Sequence, residues 1–234
     1  MKLSEKRSLT PVQPVSEPLG RSPLLWSTIV LLAGVLGVPA LIEANTPRII
    51  SALYIDVSAS NQPFQAVVQS ICQDRLKYLK DGDVLIDGQF AEQSIAPVHQ
   101  TYAERQRANL RASCQAATQP NGIGKHPGTT PIRAWESLQS LVQSERSQRN
   151  HDRVAAVFVI QAAERVLGQP NLDWAKFKQQ VQGFVADGSV ILIIADQPEL
   201  QQQLLPLLAE VRNARVCTYN DAKDNLKWAF DKVR

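Results

Sequence analysis

From Arg48 to the C-terminus, short apolar runs alternate with stretches of helical periodicity. Ile49–Ile55 (IISALYI) reads as a strand. Pro63–Leu79 places Phe64, Val67, Val68, Ile71, Leu76 and Leu79 near helical spacing. Val84–Ile86 is a second, short strand that the turn pair Asp87-Gly88 closes. Ser94–His99 reads as an edge strand, because Pro97 has no N–H to give a ladder. Thr101–Ala117 reads as a helix, polar on most faces, and Thr118–Thr129 as a loop carrying Gly122, Gly124 and Gly128. Pro131–Arg146 is a helix with Ile132, Trp135, Leu138, Leu141 and Val142 on its apolar side. Then follow strand Val154–Ile160, helix Leu172–Val185 with Asp173 in a capping position, strand Ser189–Ile194, helix Pro198–Val211, strand Arg215–Tyr219 and helix Ala222–Val233. Strands that are apolar on both faces and separated by helices imply a mostly parallel sheet covered on both sides. The expected fold class is therefore α/β, a three-layer α/β/α domain over 48–234. Binding groups belong at the C-terminal ends of its strands.

The N-terminal part has a different pattern. Residues 1–23 are polar, punctuated by Pro11, Pro14, Pro18 and Pro23, and read as a disordered tail. Leu24–Ile42 (LLWSTIVLLAGVLGVPALI) carries no charge over 19 residues, the length that a helix needs to cross a hydrocarbon core about 30 Å thick. Trp26 lies near one interface, and a bilayer helix tolerates Pro39. Residues 43–47 are a linker. Lys2, Lys6, Arg7 and Arg21 precede the apolar segment and only Arg48 follows it closely. The positive-inside rule therefore places the N-terminus in the cytoplasm and the C-terminal domain outside it, as a single-pass membrane protein. A cleaved signal peptide and a buried core helix compete with this anchor. The first has to accept a charged region of about 23 residues and an apolar run beyond the usual 7–15. The second lacks the polar punctuation of a core helix.

Composition narrows the function classes. Lys and Arg number 25 against 22 Asp and Glu, a net charge of +3. The charges are interspersed, with no arginine stripe or aromatic interleaving, so no nucleic acid is expected as a partner. Cys72, Cys114 and Cys217 form no CxxC pair, and His99, His126 and His151 lack zinc-ligand spacing. Three thiols permit at most one internal disulfide; the simplest expectation is buried, unreacted thiols.

The chemistry-bearing pattern follows the first strand, where the chain reads Asp56-Val57-Ser58-Ala59-Ser60. In extended backbone, side chains at i, i+2 and i+4 point the same way. A carboxylate and two hydroxyls at the C-terminal edge of a strand suit a hard divalent cation, Mg²⁺ above all.

An apolar strand followed by DxSxS resembles the metal-ion-dependent adhesion site of von Willebrand factor A domains, and the order of elements over 49–234 is similar to that Rossmann-like family throughout. The resemblance implies a third hydroxyl from a threonine before a helix. Gly128-Thr129-Thr130-Pro131 occupies that place, and Thr130 matches by spacing, with Thr129 in reserve. The implied metal ligands are Asp56, Ser58, Ser60 and Thr130. The implied cofactor is Mg²⁺, with Mn²⁺ or Ca²⁺ as substitutes, and the implied partner is a protein that completes the coordination with an acidic side chain. The family also places an aspartate just past the fourth strand. Here Gln161-Ala162 stands there, with Glu164 beyond, and one carboxylate fewer weakens attraction for a dication.

Two alternatives remain open. One keeps the fold without metal, as a scaffold that packs against partners. The other is a haloacid dehalogenase-like phosphatase, which begins with a strand ending in Asp but needs a second Asp where Ser58 stands. No GxSxG, Walker A or GxGxxG pattern is present, and no enzyme activity is expected. Asp196, after the SVILII strand, is expected to cap the helix that follows.

Overall fold

Six strands form one sheet in the order β3-β2-β1-β4-β5-β6. The strands are β1 (Ile49–Asp56), β2 (Val84–Phe90), β3 (Ser94–Thr101), β4 (Arg153–Val159), β5 (Val190–Ile194) and β6 (Ala214–Cys217). Among the described residues only β3 runs antiparallel, paired to β2, and the other pairings are parallel. The computed structural model describes residues 47–58, 64–91, 94–118, 131–149, 153–160 and 173–234. The predicted tail, membrane helix and most of the linker lie outside them. Among the described residues, no helix is long and apolar enough to cross a membrane.

Among the described residues, six helices cover the sheet: α1 (Gln65–Arg75), α2 (Arg107–Thr118), α3 (Pro131–Arg149), α4 (Trp174–Val185), α5 (Pro198–Leu208) and α6 (Ala222–Val233). Alternation along the strands assigns the layers. Ile49 and Leu53 of β1, with Leu85, Val157 and Leu192, share one core with α1, α2 and α6. Ile50, Ala52 and Tyr54, with Ile86, Phe158 and Ile193, share the other with α3, α4 and α5. This is the expected three-layer architecture. All eight residues of β1 are buried, as a central strand covered on both faces requires. Trp135 of α3 is fully buried and meets Phe158, Phe177 and Phe184 at ring-centroid distances of 5.8, 5.8 and 5.0 Å. Asp173 caps α4 as expected, its side chain accepting from Lys176 N at 2.9 Å.

Three expectations need correction. Asp87-Gly88 does not close β2, which runs on to Phe90. Asp87 Oδ1 lies 2.6 Å from the buried guanidinium of Arg75, so the carboxylate is paired with the last residue of helix Gln65–Arg75. Gly88 leaves room for the Tyr54 ring; a Cβ there would stand 2.5 Å from Tyr54 Cε1. The helix expected from Thr101 starts at Arg107. β3 continues to Thr101, and the extended backbone after it is held by Tyr102 N donating to Asp83 O (2.7 Å) and Tyr102 O accepting from Gly82 N (3.0 Å). Two of the three cysteines are not free thiols: Cys72 of α1 and Cys114 of α2 form a disulfide. Cys217 is free and buried.

At the N-terminal edge of the sheet, the buried Asp83 carboxylate accepts from Ile49 N at 3.1 Å and Lys80 N at 2.8 Å and pairs with Arg234. Arg234 also donates to Tyr78 O at 3.0 Å. The first strand, the entry to β2 and the C-terminal residue are thereby tied together.

Gly88→Ala is expected to lower the unfolding free energy by about 1–3 kcal/mol, because the Tyr54 ring has to move within a filled core. Chemical denaturation with a Tyr54→Leu partner checks this, since the double variant should show a less-than-additive loss. The disulfide closes a loop with a sequence separation of 42. Replacing both Cys72 and Cys114 by Ala is expected to cost about 2–4 kcal/mol, read from the denaturant midpoint without reductant.

Candidate metal site at the C-terminal edge of the sheet

In this strand order the chain winds one way from β1 to β2 and the other way from β1 to β4. The C-terminal ends of β1 and β4 thus bound the crevice where open α/β sheets place ligands. Asp56 closes β1 at that crevice and is fully buried. Ladder pairing continues one step beyond it, Val57 N donating to Phe90 O at 2.8 Å. The chain then turns, and Ser58 N donates to Asp56 Oδ1 at 2.9 Å. Such an Asx-type bond orients the carboxylate at the strand's end. Ser58 itself is buried, 1% exposed.

The neighbouring strands end level with this point. Ile160 N donates to Ile194 O at 3.0 Å, and Ala195 N to Cys217 O at 2.9 Å. Asp196 follows and is half-buried. It is not the cap of α5: Gln197 takes the cap position, Pro198 opens the helix, and Gln201 Nε2 donates to Ala195 O at 2.7 Å. Asp196 is left facing the same environment as Asp56. Both carboxylates act on the Tyr219 phenol, whose pKa is raised first by burial, then by Asp196, then by Asp56. Tyr219 also packs against Phe64 at the start of α1, with ring centroids 5.2 Å apart. An apolar contact between the start of α1 and the segment after β6 thus stands beside the acidic edge. Tyr219 and Phe64 were not singled out from the sequence; only the convergence of β1 and β6 at one edge brings them in.

Of the four expected ligands, Asp56 and Ser58 stand together at the crevice. Ser60 and Thr130 lie outside the described residues, as do Thr129, Gln161, Ala162 and Glu164. Among the described residues no three His, Cys, Asp or Glu side chains group as a metal site. The donor chemistry of Asp56 and Ser58, hard oxygens at a protected edge, fits Mg²⁺ and offers no soft ligand to Zn²⁺.

No protein-family model matches the chain, and no curated protein does. Solved structures share its fold. A von Willebrand factor type A protein from Catenulispora acidiphila superposes with a TM-score of 0.51 at 13% identity, over 80% of this chain and 43% of that one. The pilus adhesin SpaC from Lactobacillus rhamnosus GG, in its open conformation, gives a TM-score of 0.54 at 9% identity, over 81% and 30%. An aerotolerance-related membrane protein from Bacteroides fragilis NCTC 9343 gives 0.52 at 10% identity, over 79% and 99%. The chain thus spans less than half the length of the first two. The described domain has the von Willebrand factor A fold.

Cys217, at the end of β6, is held protonated. Burial, and then the negative charge of Asp221, push its thiol from 9.0 up to about 12, against the opposing effect of Arg215. Because the folded pKa is the higher one, this group's contribution to stability is intact below pH 9 and is lost as pH rises from about 9 to about 12. Iodoacetamide at about pH 8 is expected to leave Cys217 unmodified in the folded protein and to label it after unfolding. Mass spectrometry of the two samples checks this.

Proposed function

We propose that this chain is a membrane-anchored, non-enzymatic protein-binding domain that acts in adhesion or in assembly of a protein complex. Its partner presents an acidic side chain to a Mg²⁺ ion held at Asp56, Ser58, Ser60 and Thr130. The observation that carries this is the Asp56–Ser58 pair: a carboxylate with no exposed surface, oriented by Ser58 N, at the switch point of an α/β sheet. Asp56 supplies the charge, and the three hydroxyls supply neutral oxygen ligands. With one carboxylate, the site keeps net positive charge for an incoming acid. Bound Mg²⁺ would supply Lewis acidity toward the partner's carboxylate; the chain's own residues bind and orient. Among proteins of the same fold are a pilus adhesin and a membrane protein, in keeping with a binding role at a membrane.

Two further features support an extracytoplasmic domain anchored by 24–42. The Cys72–Cys114 disulfide belongs to an oxidising compartment. The domain's first described residue, Pro47, lies at the edge opposite Asp56, with Arg234 donating to Pro47 O at 3.4 Å. β1 then carries the chain from that edge to the site. A metal-free scaffold is the alternative, favoured by Gln161-Ala162 where the resemblance implies an aspartate.

Titration of the purified chain with Mg²⁺ and Mn²⁺, by calorimetry and thermal shift, tests the proposal. A ligand that binds only the folded state raises the melting temperature by mass action. Saturable binding is expected, abolished in Asp56→Asn and weakened at least about tenfold in Ser58→Ala and Thr130→Ala. A folded chain that binds neither ion up to millimolar concentration would leave the scaffold.

A further inference from the structure

A second feature lies away from the candidate metal site. On the face covered by α1 and α2, a cavity of about 560 Å³ opens between the helices and the β1–β2–β3 side of the sheet. Its volume is in the range of small-molecule sites. Leu53, Ile55, Leu76 and Leu110 give it apolar walls, and the Cys72–Cys114 disulfide ties the helices that bound it.

Polar side chains also line it, and Arg75 and Gln106 among them carry buried atoms without a hydrogen-bond partner among the described residues. Arg75 lines the cavity and is 0% exposed. Its Nη2 lies 2.6 Å from Asp87 Oδ1, without the alignment of a hydrogen bond. Among the described residues, Arg75 Nε and Nη1 have no hydrogen-bond partner. Gln106 Oε1, at the start of the α2 segment, is a buried acceptor in the same lining and is equally without one. Unpaired buried donors and acceptors cost about 1–3 kcal/mol each, so a guanidinium and an amide oxygen left so beside one cavity call for a partner group.

We propose that this cavity binds a small neutral molecule with a carboxamide head on an apolar body. The carbonyl oxygen accepts from Arg75 Nε or Nη1, and the amide N–H donates to Gln106 Oε1. The apolar body packs on Leu53, Ile55 and Leu110. Charge selects against an acid of the same shape. Asp87 already neutralises Arg75, so a carboxylate head would bring a second, uncompensated negative charge into a site of low polarity. It would also offer Gln106 Oε1 another acceptor in place of a donor. The site is separate from the crevice at Asp56 and does not depend on a metal there.

The test uses the full chain in detergent and ¹⁹F NMR of two water-soluble probes, 4-fluorobenzamide and 4-fluorobenzoate. The amide is expected to show saturable line broadening with a Kd on the order of 1 mM, as suits a fragment of this size. The benzoate should bind at least about tenfold more weakly. Ser113→Trp, which fills the cavity from the exposed side of α2, should abolish the saturable component. Any signal that remains in that variant is uptake by the micelle. Gln106→Leu should weaken the amide about tenfold without lowering the melting temperature of the chain, since it removes an unpaired buried oxygen. Binding undiminished in Ser113→Trp, equal or tighter binding of the benzoate, or no saturable binding of the amide would each overturn the proposal. A metal titration on the same sample reads the Asp56 site independently, so either site can fail alone.

Discussion

The rest of the structure depends on the placement of β1. It lies inside a parallel sheet, flanked by β2 and β4, with a helical layer on each face. A strand in that position has to be apolar on both sides, and IISALYI meets the demand with a single polar residue, Ser51. The same position removes its last residue from solvent. Asp56 is buried because the sheet continues on either side of it, and burial of a carboxylate is tolerated only where it is held by hydrogen bonds or paired with positive charge. Ser58 N supplies one such bond, and the crevice between β1 and β4 is where a cation could supply more.

The two edges of the sheet are built differently. At the N-terminal edge, Asp83 gathers Ile49 N, Lys80 N and Arg234, and its charge is matched by a guanidinium from the last residue. At the C-terminal edge, Asp56 and Asp196 both act on one phenol. Their fields converge on the buried Tyr219 and favour its protonated form. One edge is a closed structural clamp. The other brings two carboxylates from different strands to bear on one buried ring.

β3 is the antiparallel edge, and the Cys72–Cys114 bond fastens α2 to α1. That bond limits how far the two helices can part, so the space beneath them persists as a cavity with Arg75 in its wall. The opposite face is packed by Trp135 and three phenylalanines.

The layers of the fold were legible along the chain because periodicity records burial. Runs apolar at every position belong to parallel strands covered twice, and the helices between them show their one buried side. Asp56 and Ser58 were legible for the same reason, since a polar pair directly after a buried strand has to stand at its rim. What depends on contacts between distant segments was not legible. Asp87-Gly88 has the composition of a turn, yet Arg75 and Tyr54, from other elements, make it the middle of β2. Asp196 has the position of a helix cap, yet Pro198 and Gln201 leave it at the acidic edge. The pairing of Cys72 with Cys114, the approach of Tyr219 to Asp56 and the pairing of Arg75 with Asp87 each join residues of different elements. Local pattern reports how a residue meets solvent; only the tertiary structure decides which residue it meets instead.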